Sequence, residues 1–481
     1  MTDAIRFILN GKQHTVSGLP PTMTVLEYLR SQARLTGTKE GCAEGDCGAC
    51  TVILGKPAVK GTEMIYRSVN ACILLLPVLD GRELITIEHL KSAQGQLHPV
   101  QQAMVDCHGS QCGFCTPGFV MALSCLNHNH ATPTDEEIQD AIAGNLCRCT
   151  GYRPILEAAR TATKEGSHSL DTQADVLKDW QRDRMFRYET TGSSYFAPVT
   201  VEELAETIAA HPQGTLLAGG TDVGLWVTKQ HRHLPILIYT GNVKALRQIT
   251  FTEQTTEIGA AVSYTEAFDT LAQQDASMGE LLRRLGSVHI RNSGTLGGNI
   301  ANGSPIGDGM PPLIALGAQI ILRSTAGTRT LALEDYFIAY GKQDRQPGEF
   351  IEKIIIPHRG QNVLFKTYKV SKRFDQDISA VCGGFALHLE GEVITQARLA
   401  YGGMAATPKR ARQAEAVLMG RKWDEIALSE AMSAIAEDFA PLTDMRATAQ
   451  YRSRVAHNLL ARFYAETKAG ETATQVYRYV E

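Results

Sequence analysis

Eleven cysteines are distributed very unevenly along a chain of 481 residues: ten lie before residue 150 and only Cys382 follows. The N-terminus, MTDAIRFILN, lacks a basic stretch followed by an apolar core, so no secretory signal is visible and a cytoplasmic location is expected. In that setting clustered cysteines more often hold metal or do redox work than form disulfides. The first third of the chain is thereby restricted to folds that gather thiolates. The first group lies in GCAEGDCGAC as Cys42, Cys47 and Cys50, with Cys72 further on. C-x4-C-x2-C with a distant fourth cysteine is the plant-type [2Fe–2S] spacing. Two irons need four thiolates from a tight loop and one neighbouring segment, and Gly41, Gly45 and Gly48 let that loop bend sharply. Structural zinc is the competing reading, but it usually pairs two C-x2-C knuckles, whereas three of these cysteines share one loop.

The remaining composition excludes several classes. With 47 Lys+Arg against 51 Asp+Glu, the formal charge of −4 argues against a protein that coats nucleic acid. Hydrophobic residues at 43% and charged residues at 20% fit a globular chain rather than a disordered one. No apolar run approaches the ~18 residues of a membrane span. At roughly 150 residues per domain, the length suggests about three domains.

Along the chain, AIRFIL and QHTVS around the turn NGK read as a β-hairpin. Thr24 with Glu27 forms a capping-box pattern ahead of VLEYLRSQ, predicting a short amphipathic helix. The strand TVILG follows the cysteine loop. Helical patterns occupy 97–106, 116–129 and 134–145, and the polar segment 163–185 reads as a linker, in part helical. Short strands and helices alternate from about 190 to 360. Strand-like runs then precede helical patterns to about 475, an α+β order.

The second cysteine group is CGFC (Cys112, Cys115) and CRC (Cys147, Cys149), bracketing a helical hairpin. A C-x-C pair sets two thiolates very close, a spacing awkward for zinc and suited to one iron of a two-iron cluster. HGSQCGFCTPG (108–118) and GNLCRCTGYRPI (144–155) resemble the second iron–sulfur domain of the molybdenum hydroxylases, the xanthine dehydrogenase and oxidase family, and EGCAEGDCGAC resembles their ferredoxin-like domain. With the later regions, the resemblance covers nearly the whole chain. It implies a multidomain α+β protein: a β-grasp [2Fe–2S] ferredoxin domain (1–85), a four-helix-bundle [2Fe–2S] domain (86–162), a linker (163–189), a vanillyl-alcohol-oxidase-type FAD domain (190–360) and an α+β C-terminal flavoprotein domain (361–481). It also places Gln111, just before CGFC, against the pterin of the molybdenum cofactor; a loop-stabilising amide is the plainer alternative. Cys107, Cys125 and Cys382 stand outside both groups and read as small buried hydrophobes. His108, His128 and His130 lie near the second group but read as structural or solvent-facing, because four cysteines already suffice.

Two glycine-rich stretches follow, LLAGGTDVGL (216–225) and SGTLGGNIANGSPIGD (293–308). Such turns let backbone N–H groups approach a diphosphate. Neither matches the dinucleotide fingerprint of glycines, and tight β-turns are the alternative. Together they resemble the FAD-binding domain of the same family. That resemblance assigns Leu217, Ala218, Gly219, Gly220, Thr221, Asp222, Val223 and Gly224 to FAD, along with Thr295, Leu296, Gly297, Gly298, Asn299 and Asp308. KVSKRFDQDISA (369–380) resembles the loop beside the isoalloxazine ring, with Lys369 at a position that touches FAD and Arg373, Asp375 and Asp377 giving it mixed charge. At Leu285, where animal members carry an aromatic residue that stacks on the flavin, this chain has an aliphatic one.

A complete hydroxylase needs a molybdenum domain of several hundred residues, and none fits within this chain. The resemblance therefore implies the small subunit of a bacterial xanthine dehydrogenase, paired with a molybdopterin-carrying large subunit as an (αβ)2 heterotetramer. The expected function is electron relay from purine oxidation in that partner through two [2Fe–2S] clusters to FAD and NAD+. No catalytic residue for the substrate chemistry is expected here, and neither nucleic acid nor membrane is an expected partner. The alternatives are the same relay serving another N-heterocycle or an aldehyde, and a zinc-stabilised binding protein without enzymatic activity.

Overall fold

The computed structural model describes residues 3–58, 63–92, 94–164, 170, 173–468 and 474. Residues 165–169 and 171–172 of the expected linker, and 469–473 and 475–481 of the expected C-terminal domain, lie outside the described residues. The chain forms two compact units, and it returns twice to the first: residues 1–245, 263–265 and 286–295 make one, and 246–262, 266–285 and 296–481 the other.

The first unit opens as the hairpin signals predict. Strands Ile5–Leu9 and Lys12–Val16 pair antiparallel across Asn10 and Gly11, both with positive φ, the geometry a two-residue hairpin turn requires. Glu83–Ile85 joins Ile5–Leu9 in parallel, and Thr51–Pro57 and Met64–Asn70 complete a five-stranded mixed sheet. Ile5, Phe7, Val25, Leu29, Val52 and Leu84 fill its core. Thr24 caps the following helix by accepting from Glu27 N. Its helical span, 25–32, is the one expected, but it changes type along the way. After Val25–Glu27 it widens into a π-helical turn, Tyr28–Gln32, where Ser31 Oγ bonds the Glu27 carbonyl and Ala33 N–H reaches back to Tyr28 O.

Four helices come next: Pro99–Asp106, Thr116–Asn129, Asp135–Ile142 and Arg153–Thr163. They pack around Phe119, Val120, Leu123, Ile138, Ile155 and Ala158. The third starts on a capping box of Thr134 and Glu137 and stops at Ile142, three residues short of the predicted span. The chain turns there to bring Asn145 and Leu146 against the first cysteine loop.

The described second half of 163–189 carries the partial helix expected of it, and departs from the linker reading only at its end, which is a strand. Ala174–Asp179 is helical and Phe186–Thr190 is a strand. Between them the half-buried Arg182 pairs with Asp80, with Nε 2.6 Å from Oδ2, and lies over the Phe186 ring. Hydropathy alone hid this, because the segment is anchored by charge. Phe186–Thr190, Ser193–Ala197, Ile236–Tyr239 and Thr215–Leu217 form a four-stranded sheet, its last two pairings parallel.

The second unit contains an antiparallel five-stranded sheet in the order Ile249–Phe251, Thr255–Gly259, Phe350–Pro357, Gln319–Ser324, Gly327–Ala332. A second antiparallel sheet runs Val363–Val370, Val381–Glu390, Val393–Gly402, Lys409–Arg410. The helices Arg412–Leu418, Glu425–Asp438 and Ala449–Lys468 cover it, around Phe385, Tyr401, Trp423 and Phe463. Among the described residues no helix is long and apolar enough to cross a membrane.

Candidate cluster and flavin sites

The loop 41–50 and the end of strand Met64–Asn70 bring the first four cysteines together. Cys42 meets Cys47 and Cys72, and Cys50 meets Cys72, each at hydrogen-bonding range. Through those contacts the thiols of Cys47 and Cys72 hold the pKa of Cys42 well below the usual value, and Cys72 does the same for Cys50. Cys47 and Cys72 are raised in return. The backbone N–H groups of Glu44 and Cys47 point at Cys42 Sγ, at 3.5 and 3.3 Å. A Cβ on Gly41 would lie 2.8 Å from Cys47 Sγ, so the loop closes over its own sulfurs. Four converging thiols with amides aimed at sulfur fit a diiron cluster.

The second quartet adopts a different pairing from the one its spacing suggests. Cys115 meets Cys147, and Cys149 meets Cys112. The contacts thus run between the CxxC and CxC motifs, not within the C-x-C pair. Burial pushes the Cys115 thiol up to about 12, with the neighbouring Cys147 adding to it. Cys147 Sγ in turn accepts from the N–H groups of Cys149 and Thr150, both at 3.5 Å. Among the described residues no three His, Cys, Asp or Glu side chains surround a point where a single ion could sit. Thiols meeting two by two suit irons that each take two ligands.

The two cysteine loops touch. Leu146 N–H donates to the Cys47 carbonyl at 3.0 Å, linking the neighbour of one quartet's Cys147 to a member of the other. Asn145 is buried and donates Nδ2 to Gly48 O at 3.0 Å and to Thr51 Oγ1 at 3.1 Å. The single hydroxyl proton of Thr51 goes to Gly48 O at 2.6 Å. His289, 3.2 Å away, must therefore donate to Thr51 from Nε2. Its Nδ1 is buried without a partner, and burial, helped by Arg291, lowers its pKa to about 4. Arg291 itself is buried and grips Asp140 through both carboxylate oxygens, at 2.7 and 2.8 Å. Sequence reasoning missed Thr51, Asn145 and His289. Only Asn145, inside the GNLCRC motif, carried any signal.

The stretch Leu217–Gly224 leaves strand Thr215–Leu217 and enters the helix Val223–Thr228. Among the described residues, the N–H groups of Gly219, Gly220, Thr221 and Asp222 donate to no acceptor. Successive open N–H groups in a glycine turn suit a diphosphate. Gly219 has no space for a side chain, since a Cβ would lie 1.8 Å from Ser293 O. A Cβ on Gly224 would lie 2.6 Å from the carbonyl of Ile73, the residue after Cys72. The helix that follows holds the first cysteine loop again, through Thr228 Oγ1 on Ala43 O at 2.7 Å.

In the second unit, Leu296 N–H and Gly297 N–H bond to Val262 O and Ala260 O. Lys369 and Asp308 form a buried ion pair, 2.5 Å between Nζ and Oδ2. Lys369 Nζ also reaches Asp377 O at 2.8 Å and Ser379 Oγ at 3.0 Å. Arg284 ties down the same loop, bonding the carbonyls of Phe374 and Lys369 with its guanidinium over the Phe374 ring. Leu285 beside it is half-buried.

The other candidates fall in plain positions. Cys125 and Cys382 are buried, whereas Cys107 is only half-buried, its thiol 3.7 Å from Thr161 Oγ1. That corrects the expectation for Cys107, which sits at the end of its helix where one side stays open. His128 packs edge-on against Tyr66, and His108 and His130 are exposed. Gln111 is exposed beside the exposed Cys112.

Four family models match in succession: the 2Fe-2S iron-sulfur cluster binding domain over 7–76, the [2Fe-2S] binding domain over 86–160, the FAD binding domain in molybdopterin dehydrogenase over 186–359, and the CO dehydrogenase flavoprotein C-terminal domain over 366–467. Two thiolate sites followed by a flavin domain define an iron–sulfur flavoprotein. Similar proteins include a xanthine dehydrogenase of Emericella nidulans, 32% identical across 96% of this chain and 38% of that one, and aldehyde oxidase 2 of Rattus norvegicus, 30% identical across 97% and 39%. Among solved structures, the carbon monoxide dehydrogenase of Hydrogenophaga pseudoflava is similar over 56% of this chain and 94% of that one, with TM-score 0.53 and 25% identity. The chain belongs to the molybdenum hydroxylase family and carries its [2Fe–2S] and FAD domains. It spans about two fifths of the length of the curated relatives it matches.

Proposed function

We propose that the chain is the electron-transfer subunit of a bacterial xanthine dehydrogenase, taking electrons from purine oxidation at a partner's molybdopterin and delivering them to NAD+. When bound, the clusters carry single electrons, and FAD holds a pair and passes on a hydride. The chain's own residues hold and align these groups. Cys42, Cys47, Cys50 and Cys72 would hold one cluster, and Cys112, Cys115, Cys147 and Cys149 the other. The residues Leu217–Gly224 would bind FAD through the open N–H groups of Gly219 to Asp222. Thr295–Asn299, Asp308, Lys369 and Leu285 would complete its contacts, and Gln111 would face the pterin.

The observation that carries this reading is the continuity of contacts from one quartet to the next. Leu146 N–H joins the two cysteine loops, and the glycine turn at Gly224 lies against Ile73, next to Cys72. The exposure of Cys112 and Cys149 supports placing the second cluster toward the partner. The xanthine dehydrogenases among the relatives support a purine substrate. The aldehyde oxidases, almost as similar, favour a second reading in which the partner hydroxylates an aldehyde or another N-heterocycle.

Purification with the partner subunit, followed by an optical spectrum, iron, flavin and molybdenum analysis and substrate screening, tests both readings. Cys147→Ser should abolish one of two iron–sulfur EPR signals and stop purine turnover, while NADH-driven dye reduction largely survives. Loss of that dye reduction in a folded variant would contradict separate relay stations.

A further inference from the structure

Asn70 closes the strand Met64–Asn70, where it pairs with Thr51, the residue after Cys50, and it lies two residues before Cys72. Its side chain is 3% exposed. The amide Nδ2 lies 3.8 Å from Cys50 Sγ, and Oδ1 is buried with no partner. An unsatisfied buried carbonyl oxygen costs about 1–3 kcal/mol, so nothing about the oxygen fixes this orientation. A negatively charged sulfur does, since it selects the NH2 end of the amide. We propose that Asn70 sets the reduction potential of the cluster held by Cys42, Cys47, Cys50 and Cys72, by donating its Nδ2–H to the Cys50 thiolate. This rests on the reading of that quartet as a diiron site.

The direction follows from charge. Taking up one electron makes the cluster and its thiolates more negative, and a donor to sulfur stabilises that form more than the oxidised one. Asn70 therefore raises the potential. Backbone donors to Cys42 belong to the loop's own fold. The Asn70 amide is a side chain, and substitution can remove it alone.

The test is a mediated redox titration of the full chain with its cofactors bound, followed by low-temperature EPR, for wild type and Asn70→Leu. At the poise where the wild-type first cluster is half-reduced, the variant's reduced-to-oxidised ratio should fall about tenfold, equivalent to about 59 mV for one electron. The second cluster and the flavin should titrate as before. An unchanged first cluster at full iron content would overturn the proposal. A second measurement avoids mutation. Wild-type protein with side-chain 15N-asparagine should show a nitrogen hyperfine coupling to the reduced first cluster in ENDOR spectra, and its absence would equally overturn the proposal. Zinc, or no iron, in the wild-type chain would overturn the proposal and the diiron reading together.

Discussion

At the scale of single residues, His289 shows how burial converts an ordinary side chain into a conditional one. Its imidazole is neutral, donates from Nε2 to Thr51 and leaves Nδ1 facing Gly144. Charging it in that interior is unfavourable, hence the fall of its pKa from 6.5 to about 4. The unfolded chain takes up this proton near pH 6.5 and the folded chain only near pH 4. Below 6.5 the unfolded state binds more protons, so the stabilisation is complete above pH 6.5 and is lost progressively as pH falls toward 4. The loss amounts to about 3 kcal/mol. His289→Gln lacks this titration. Thermal unfolding from pH 7 to pH 4 should therefore show wild type losing ground against the variant, and a constant difference across that range would refute the assignment. None of this was legible in the sequence. A lone histidine 238 positions from its partner has no local pattern, and its role exists only once three separate segments are packed together.

At the scale of elements, the two cysteine loops were largely readable and their junction was not. The spacing of ligands within each loop is a local property, so C-x4-C-x2-C and CxxC with CxC announced both sites. Which thiol meets which is a tertiary property, and the C-x-C spacing suggested a pairing that the packing of helices Thr116–Asn129 and Asp135–Ile142 does not produce. Hairpin, capping and strand signals likewise located the β-sheet, whereas the ordered part of 173–189 was obscured because Arg182 and Asp80 hold it by charge. One of the tightest points of the junction is Gly48, with φ +67 and a Cβ position 2.2 Å from Gly144 O. Gly151, also left-handed at φ +70, has nothing within 4 Å of its Cβ position. Gly48→Ala should thus cost more than about 2 kcal/mol and deplete iron at both sites, against about 1 kcal/mol for Gly151→Ala. Calorimetry and iron content of the two variants would separate loop strain from the inter-loop clash.

At the scale of the whole molecule, composition set the class, cysteine clustering set the chemistry of the first third, and resemblance supplied the flavin regions, whose glycines alone are compatible with ordinary turns. The path of the chain was not foreseeable. Residues 286–295 return to the first unit after two excursions into the second, and they bring His289 to Thr51, Arg291 to Asp140, and Asn292 Nδ2 to the Ser68 carbonyl at 2.8 Å. A fragment ending at Ala245 would keep all eight cluster cysteines yet lack those three anchors. It should melt well below the full chain, and supplying residues 286–295 as a peptide should restore part of the difference; equal melting temperatures would show the anchors to be dispensable. A cut after Ala245 therefore falls inside the flavin-binding span 186–359 and parts its first half from the short downstream stretch on which that half and the cysteine loops rest. Fission at that point would leave the upstream product to borrow a short downstream stretch in trans.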